Sequence, residues 1–230
     1  MYELFIANKN YSSWSLRPWV LMRELAIPFS ERLVPFPPGS SWTSFRAFSP
    51  SGRVPCLHDA DTVIWDSLAI TEYLAERHAR VWPTDPQARA WARCAVAEMH
   101  SGFAALRQQC PMNCAVQVEL GPLSGPLERD LARLSELWNE GIGRFGGPFL
   151  AGPTFTAADA FFAPVAFRVQ TYDLQLAGAG ARYARRLLAL ASMQAWHSDA
   201  LAEPWREPEI EAEASRVGTL IADLRTNPAP

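Results

Sequence analysis

Several features that would announce a compartment or a cofactor are missing from this 230-residue chain. Its opening, "MYELFIANKN", has no basic segment followed by a long apolar stretch, so no signal peptide is expected. No run approaches the roughly 20 apolar residues that cross a bilayer, so no membrane contact is expected. Charges of one sign never gather into a long run, and the net charge is −3. A non-specific nucleic-acid binder needs a basic face, so no nucleic-acid partner is expected. Cysteine is scarce: Cys56, Cys94, Cys110 and Cys114 are the only four. Without a secretory signal they read as reduced thiols rather than a disulfide frame. Cys110 and Cys114 have no second pair and no nearby histidine to complete a zinc site, so no metal is expected. No internal repeat is visible. These absences leave a cytoplasmic protein as the expectation. With 49% of its residues apolar, the chain can build one large domain or two small ones.

The first third alternates. Residues 2–7 read as a strand and 16–26 as a helix, with Leu16, Trp19, Val20 and Leu25 at helical spacing. Residues 29–34 read as a second strand, and "PFPPGSSWTSF" as a loop. "RVPCLHD" and "DTVIW" read as two short strands parted by a turn at Asp59-Ala60-Asp61, and "SLAITEYLAERH" as a helix. A crossover helix implies that the first two strands are parallel, and the tight turn implies an antiparallel later pair on the same sheet. "ARVWPTDPQ" carries Pro83 and Pro86 and reads as a linker. The expected division is 1–79, a linker at 80–86, and 87–230. Beyond the linker no strand is predicted. Helices are expected over 87–109, 126–144, 157–171 and 181–196, with a last one at 210–224. Within "TFTAADAFFAP", Thr156 and Asp159 have the spacing of a helix-starting capping box, and Phe155 is placed to staple to Ala160 or Phe161.

Three serines, Ser12, Ser13 and Ser15, crowd in front of the first helix. A helix N-terminus presents unpaired N–H groups and a partial positive charge, and hydroxyls there add donors, so the place favours an anion. Ser15 is the expected cap, with Pro18 tolerated in the first turn. The alternative is a plain capped turn made by all three. Two further stretches weigh against that alternative. The Val54-Pro55 step stands at the mouth of a strand, where proline cannot donate to a ladder. A cis bond would account for it and would leave the Val54 backbone open to a bound peptide. Asp66 and Ser67 stand where the last helix of this region starts, suited to an ammonium and a carboxylate respectively. A ligand with a thiol or other anion, an extended peptide backbone and an α-amino-acid end would match all three places. Glutathione has these parts.

The chain resembles the cytosolic glutathione transferases over nearly its whole length. "YSSWSLRPW" is similar to the S-S-C-S-x-R pattern of the zeta class and related bacterial serine-type enzymes. "VPCL" resembles the family's cis-proline loop and "DSLAI" its E-S-x-A-I motif, while "AEMHSGFAALR" suggests a bacterial branch. The resemblance implies an α/β thioredoxin-like N-terminal domain followed by an all-α C-terminal domain, with glutathione as co-substrate and a homodimer as the assembly. It implies that Ser12, or Ser13 as second choice, donates to the glutathione thiolate. It also implies that Val54 and Pro55 pair with the cysteinyl part, that Asp66 and Ser67 hold the γ-glutamyl end, and that Arg53 approaches the glycyl carboxylate. A drop of about 2 units in thiol pKa requires roughly 2.7 kcal/mol. One charge-assisted hydrogen bond of about 1.5–3 kcal/mol, helped by the helix terminus, is of that size. No His-Asp relay stands near the serines, so they are not expected to act as nucleophiles.

The electrophile is expected between the domains, against Trp14, Met99, Phe103 and Arg107. Core packing of Met99 and Phe103 and a solvated Arg107 are an equally good reading. The implied function is a detoxifying glutathione transferase acting on a small hydrophobic electrophile. The alternatives are a zeta-like glutathione-dependent isomerase, or a transferase-like protein that binds a partner without catalysis. Two departures bear on these. Thr171 falls where zeta isomerases carry a substrate-binding arginine, with Arg168 three residues away. Trp14 replaces a reactive cysteine, which argues against thiol-based reductase chemistry there.

Overall fold

A computed structural model describes residues 1–37 and 39–225. Pro38 of the expected loop and residues 226–230 of the expected helical region lie outside the described residues. The chain runs β1 (Tyr2–Ile6), α1 (Ser13–Glu24), β2 (Phe29–Leu33), α2 (Trp42–Phe45), β3 (Cys56–Asp59), β4 (Thr62–Trp65) and α3 (Ser67–Ala75). It continues as α4 (Pro86–Ser101), α5 (Ala104–Gln109), β5 (Val116–Leu120), α6 (Gly125–Phe145) and α7 (Ala157–Tyr172). It closes with α8 (Gly180–Leu188), α9 (Ala191–Ala202), α10 (Pro208–Val217) and β6 (Gly218–Asp223).

The first sheet has the order β2-β1-β3-β4. β1 and β2 are parallel, with Leu4 opposite Glu31, and β3 is antiparallel to both β1 and β4, with Leu57 opposite Leu4 and Ile64. This is the thioredoxin-like arrangement, with the crossover helix α1 laid on the sheet. The other side of α1 packs on α7 and α9. Leu16, Trp19, Val20 and Leu21 of α1 are buried with Phe161, Phe162 and Phe167 of α7 in one continuous core. α7 is buried along almost its whole length, which is why its sequence shows no polar stripe.

Four sequence expectations are corrected. α1 begins at Ser13 rather than after Ser15, because the Leu16 N–H bonds to the Ser12 carbonyl and makes Ser12 the cap. Pro18 therefore lies inside the helix. The helix expected over 87–109 ends at Ser101; the chain passes through Gly102 and a left-handed Phe103, and α5 starts afresh. The helix expected over 181–196 is two helices, parted at Ala189 and Leu190. The region after the linker is mostly helical but contains an antiparallel pair, β5 with β6, where the sequence suggested no strand and a helix to 224. Val116 and Val118 face inward along β5. Gly218 opens β6 so close to Glu119 that a Cβ there would collide with the Glu119 carbonyl.

The capping box is present, with the Asp159 carboxylate at its centre. Oδ2 accepts from the Thr156 N–H at 2.9 Å, and Oδ1 accepts from the Leu150 N–H at 3.0 Å and the Tyr183 hydroxyl at 2.7 Å. The side chain is fully buried, and burial pushes its carboxyl up to about 6 despite these donors. Asp159→Ala is expected to lower stability by about 3 kcal/mol or more, since the Leu150 and Thr156 N–H groups and the Thr156 and Tyr183 hydroxyls lose their acceptor; thermal unfolding measures it. A carboxyl raised in the folded state contributes less as pH climbs from its ordinary value to its folded one. That contribution should therefore decline between about 3.8 and about 6 in the wild type. Asp159→Asn should lack that part of the pH dependence.

Candidate functional site

One cavity of about 420 Å³ lies where α1, the start of β3, the start of α3 and the end of α4 meet. Arg53, Val54 and Pro55 line one side, Asp66 and Ser67 another, and Trp14 faces them. The Val54-Pro55 bond is cis. All five residues expected to hold glutathione thus meet at one cavity, together with Trp14.

Asp66 caps α3 with a positive φ of 76°, and its Oδ1 accepts from the Leu68 N–H at 2.7 Å. A non-glycine residue held there costs about 1–3 kcal/mol, the kind of backbone outlier found at ligand sites. Its Oδ2 faces His100 Nε2 at 3.5 Å. Ser67, the first residue of α3, is buried, and its Oγ accepts from Arg17 Nη1 at 3.4 Å.

Neither Ser12 nor Ser13 lines the cavity, though both directly precede Trp14, which does. Ser12 is buried, and its hydroxyl donates to Ser15 Oγ at 2.7 Å. Ser15 Oγ in turn accepts from the Ala7 N–H at 3.3 Å. No side chain caps α1, and the N–H of its first residue, Ser13, donates to the Tyr11 carbonyl at 2.9 Å.

Trp14 is the junction of the site. The guanidinium of Arg17 lies 4.1 Å from its ring centroid and that of Arg107 4.7 Å, both distances suited to cation–π attraction. Arg107 spends its donors on the carbonyls of Met99, His100 and Gly102, closing the C-terminus of α4. Met99 and Phe103 are core residues, 1% and 6% exposed, and neither lines the cavity. Arg17 is 1% exposed, and its Nε has no hydrogen-bond partner. Burial, reinforced by Arg107 and Arg168, pushes its pKa well down. Arg168 donates to the Cys110 carbonyl at 2.8 Å and the Pro164 carbonyl at 3.2 Å. Thr171 donates to the Asn113 carbonyl at 2.7 Å. Among the described residues, no carboxylate forms an ion pair with Arg17, Arg107 or Arg168.

His100 had no role assigned from sequence, yet it lines the cavity. Its ring stands edge-on to Trp14 at 5.3 Å, and its Nδ1 is buried without a partner. Burial pushes the imidazole pKa down, opposed by Asp66 and reinforced by Arg17 and Arg107. Its pairing with Asp66 spans 34 positions and joins two separate elements, so no local pattern around His100 signals it. Among the described residues, no group of three or more His, Cys, Asp or Glu side chains is placed to hold a metal, and no helix is long and apolar enough to cross a membrane.

Residues 11–77, which contain every cavity residue except His100, match the glutathione S-transferase N-terminal domain. Glutathione S-transferase F14 of Arabidopsis thaliana is 32% identical over 148 residues, 58% of this chain and 56% of its own length. The stringent starvation protein A homolog of Haemophilus ducreyi is 25% identical over 186 residues, 76% of this chain and 83% of its own length. The solved structure of a glutathione transferase homolog from Burkholderia, with bound glutathione, matches with a TM-score of 0.66 at 24% identity. That match covers 86% of this chain and 97% of the other, and at this identity it speaks to the fold. The chain spans little more than half the length of the curated glutathione transferases it matches, from 52% to 60%. The thioredoxin-like sheet and the mostly helical region behind it thus have the glutathione transferase fold, and residues 11–77 are similar in sequence to that family's N-terminal domain.

Proposed function

We propose that the cavity binds glutathione, lowers the pKa of its thiol, and directs the thiolate at an electrophilic carbon of a small hydrophobic molecule. The thiol proton leaves to solvent, the S–C bond forms, and the leaving group departs with its electron pair. The observation that carries this reading is the convergence of Arg53, Val54 and Pro55 with Asp66 and Ser67 on one cavity beside the uncapped N-terminus of α1. In this reading the γ-glutamyl carboxylate sits on Ser67 and the first N–H groups of α3, with its ammonium at Asp66. The Val54 backbone pairs with the cysteinyl residue, and Arg53 takes the glycyl carboxylate. The thiolate then lies toward Ser12 and Ser13. Ser12 reaches it by rotating its hydroxyl off Ser15 Oγ, a motion that costs little for a hydroxyl.

The same reading makes the chain a cytoplasmic, detoxifying homodimer divided at 1–79, 80–86 and 87–230. The apolar hollow of about 580 Å³ bordered by Val63, Ile64, Trp65 and Leu68 is where a second copy would sit. A zeta-like isomerase is less well supported, because Thr171 and Arg168 both spend their donors on carbonyls outside the cavity. The likeness to the stringent starvation protein A homolog favours one competitor, a partner-binding protein without turnover.

The ultraviolet absorbance of bound glutathione thiolate, titrated against pH, separates these. A thiol pKa depressed by about 2 units in the wild type, returning toward the free value in Ser12→Ala, supports activation by that serine. The same loss in Ser13→Ala alone moves the role one residue on. Tight binding with no depression leaves the partner-binding reading. Ser67→Ala should act differently. It should weaken glutathione binding by roughly 10-fold, as expected for the loss of one charge-assisted bond, and leave the thiol pKa of the bound form nearly unchanged. Calorimetric binding beside the same titration checks the split.

A further inference from the structure

The loop that leads into the serines is held from the far end of the chain. Glu203, just past α9, is 6% exposed and points its carboxylate at this loop. Oε1 accepts from the Lys9 N–H at 2.6 Å and Oε2 from the Asn10 N–H at 3.2 Å. The carbonyls of the same two residues are bound as well. Trp196 Nε1 donates to the Lys9 carbonyl at 2.8 Å, and the Cys114 N–H donates to the Asn10 carbonyl at 3.2 Å. Every backbone polar group of Lys9 and Asn10 is therefore fixed by a residue more than 100 positions away. The next residues turn on this anchor: the N–H groups of Tyr11 and Ser12 both bond to the Asn8 carbonyl, at 3.1 and 2.9 Å.

We propose that Glu203 is a positioning residue for thiol activation: its two carboxylate oxygens clamp the Lys9 and Asn10 N–H groups and so fix the direction of the Ser12 and Ser13 hydroxyls. The inference rests on the glutathione-activating reading given above. Glutamate suits the task because two N–H donors side by side need two acceptor oxygens. Glutamine offers one oxygen and turns an N–H₂ group against the second donor. The groups around the carboxylate fit a clamp rather than an ordinary ion pair. Lys9 Nζ is engaged by Glu31 at 2.8 Å and Asp199 at 2.6 Å, not by Glu203. Asp199 and the Cys114 thiol face it as well, and Arg206 bonds to its backbone carbonyl. Burial pushes the Glu203 carboxyl up to about 7, opposed by the two N–H donors and Lys9.

The test is thiolate titration of bound glutathione in wild type, Glu203→Gln and Glu203→Asp, with glutathione affinity measured on each. In Glu203→Gln the thiol pKa should rise by about half to one unit, roughly a 3- to 10-fold loss of thiolate below that pKa. Glutathione affinity should stay within about 2-fold, because Glu203 touches none of the cavity residues. Glu203→Asp keeps both oxygens and should restore part of the shift, which a merely structural loss would not reproduce. If Glu203→Gln does not fold, Trp196→Phe, which removes the indole N–H that holds the Lys9 carbonyl and also meets the Cys114 thiol, should raise the thiol pKa in the same direction. A folded Glu203→Gln, or Trp196→Phe in its place, with the wild-type thiol pKa overturns the positioning role and leaves the transferase reading intact. A wild type with no depressed thiol pKa overturns the transferase reading itself.

Discussion

The position of α1 governs the rest of the structure. The helix is sandwiched between the first sheet and the pair α7 and α9, so its N-terminus opens inside the molecule rather than into water. A buried helix end must have its N–H groups met by something. Here no side chain does so: the Ser12 hydroxyl is turned to Ser15, and Ser15 serves the Ala7 N–H. Only a backbone carbonyl, that of Tyr11, meets the Ser13 N–H, and the next residue, Trp14, walls a cavity whose other walls are a backbone segment at Val54 and a second helix start at Ser67. The start of α3 opens on this hollow at Ser67 and the first turn of α1 borders it through Trp14, so one negative group of the proposed glutathione complex has a helix N-terminus to meet and the other lies next to a second.

The buried arginines extend the same argument. Arg107 and Arg168 lower the proton affinity of Arg17, Arg107 lowers that of Arg168, and Arg17 itself touches aromatic rings and a serine hydroxyl. Burying cations without counter-charges is costly. The arrangement is easiest to understand if an anion arrives to offset it, and the cavity next to Ser67 is where that would happen. Asp66 is too occupied to do so alone, with one oxygen on the Leu68 N–H and the other toward His100.

What could be read from sequence was what neighbouring residues decide. The parallel and antiparallel pairings followed from the crossover and the tight turn at 59–61, and the Thr156–Asp159 start of α7 followed from a three-residue spacing. Arg53-Val54-Pro55 and Asp66-Ser67 are contiguous runs, so their shared cavity was foreseeable once the sheet order was. What stayed hidden depends on contacts between distant elements. The register of α1 turned on Ser15 being captured by Ala7, so the expected cap moved to Ser12. β5 is five residues long, and its partner lies about a hundred positions on, too far for any local alternation to reveal. Met99 and Phe103 kept the helical spacing of a pocket stripe but fell in the core, because α4 breaks at Gly102. His100, adjacent to Met99, turned to the cavity instead. Glu203 lies in a polar stretch whose sequence gives no hint that it reaches Lys9.

These distant contacts bear on how the site would work as a unit. Trp14 lies against Arg17 and Arg107 and edge-on to His100, Arg17 reaches Ser67, and His100 reaches Asp66. The residue just after the serines is thus joined through packed side chains to both groups proposed for the γ-glutamyl end. On the other side, the residues just before the serines are joined to Glu203 and Trp196. The serine segment is short and irregular, and taken alone it would be free to turn. Held at both ends by elements from the second half of the chain, it has little freedom left. In the proposed mechanism a hydroxyl must point at a thiolate before the charge forms, because a donor already in place costs no reorganisation when the proton leaves. The helical half would then contribute to thiol activation without touching the thiol, by keeping a flexible turn still.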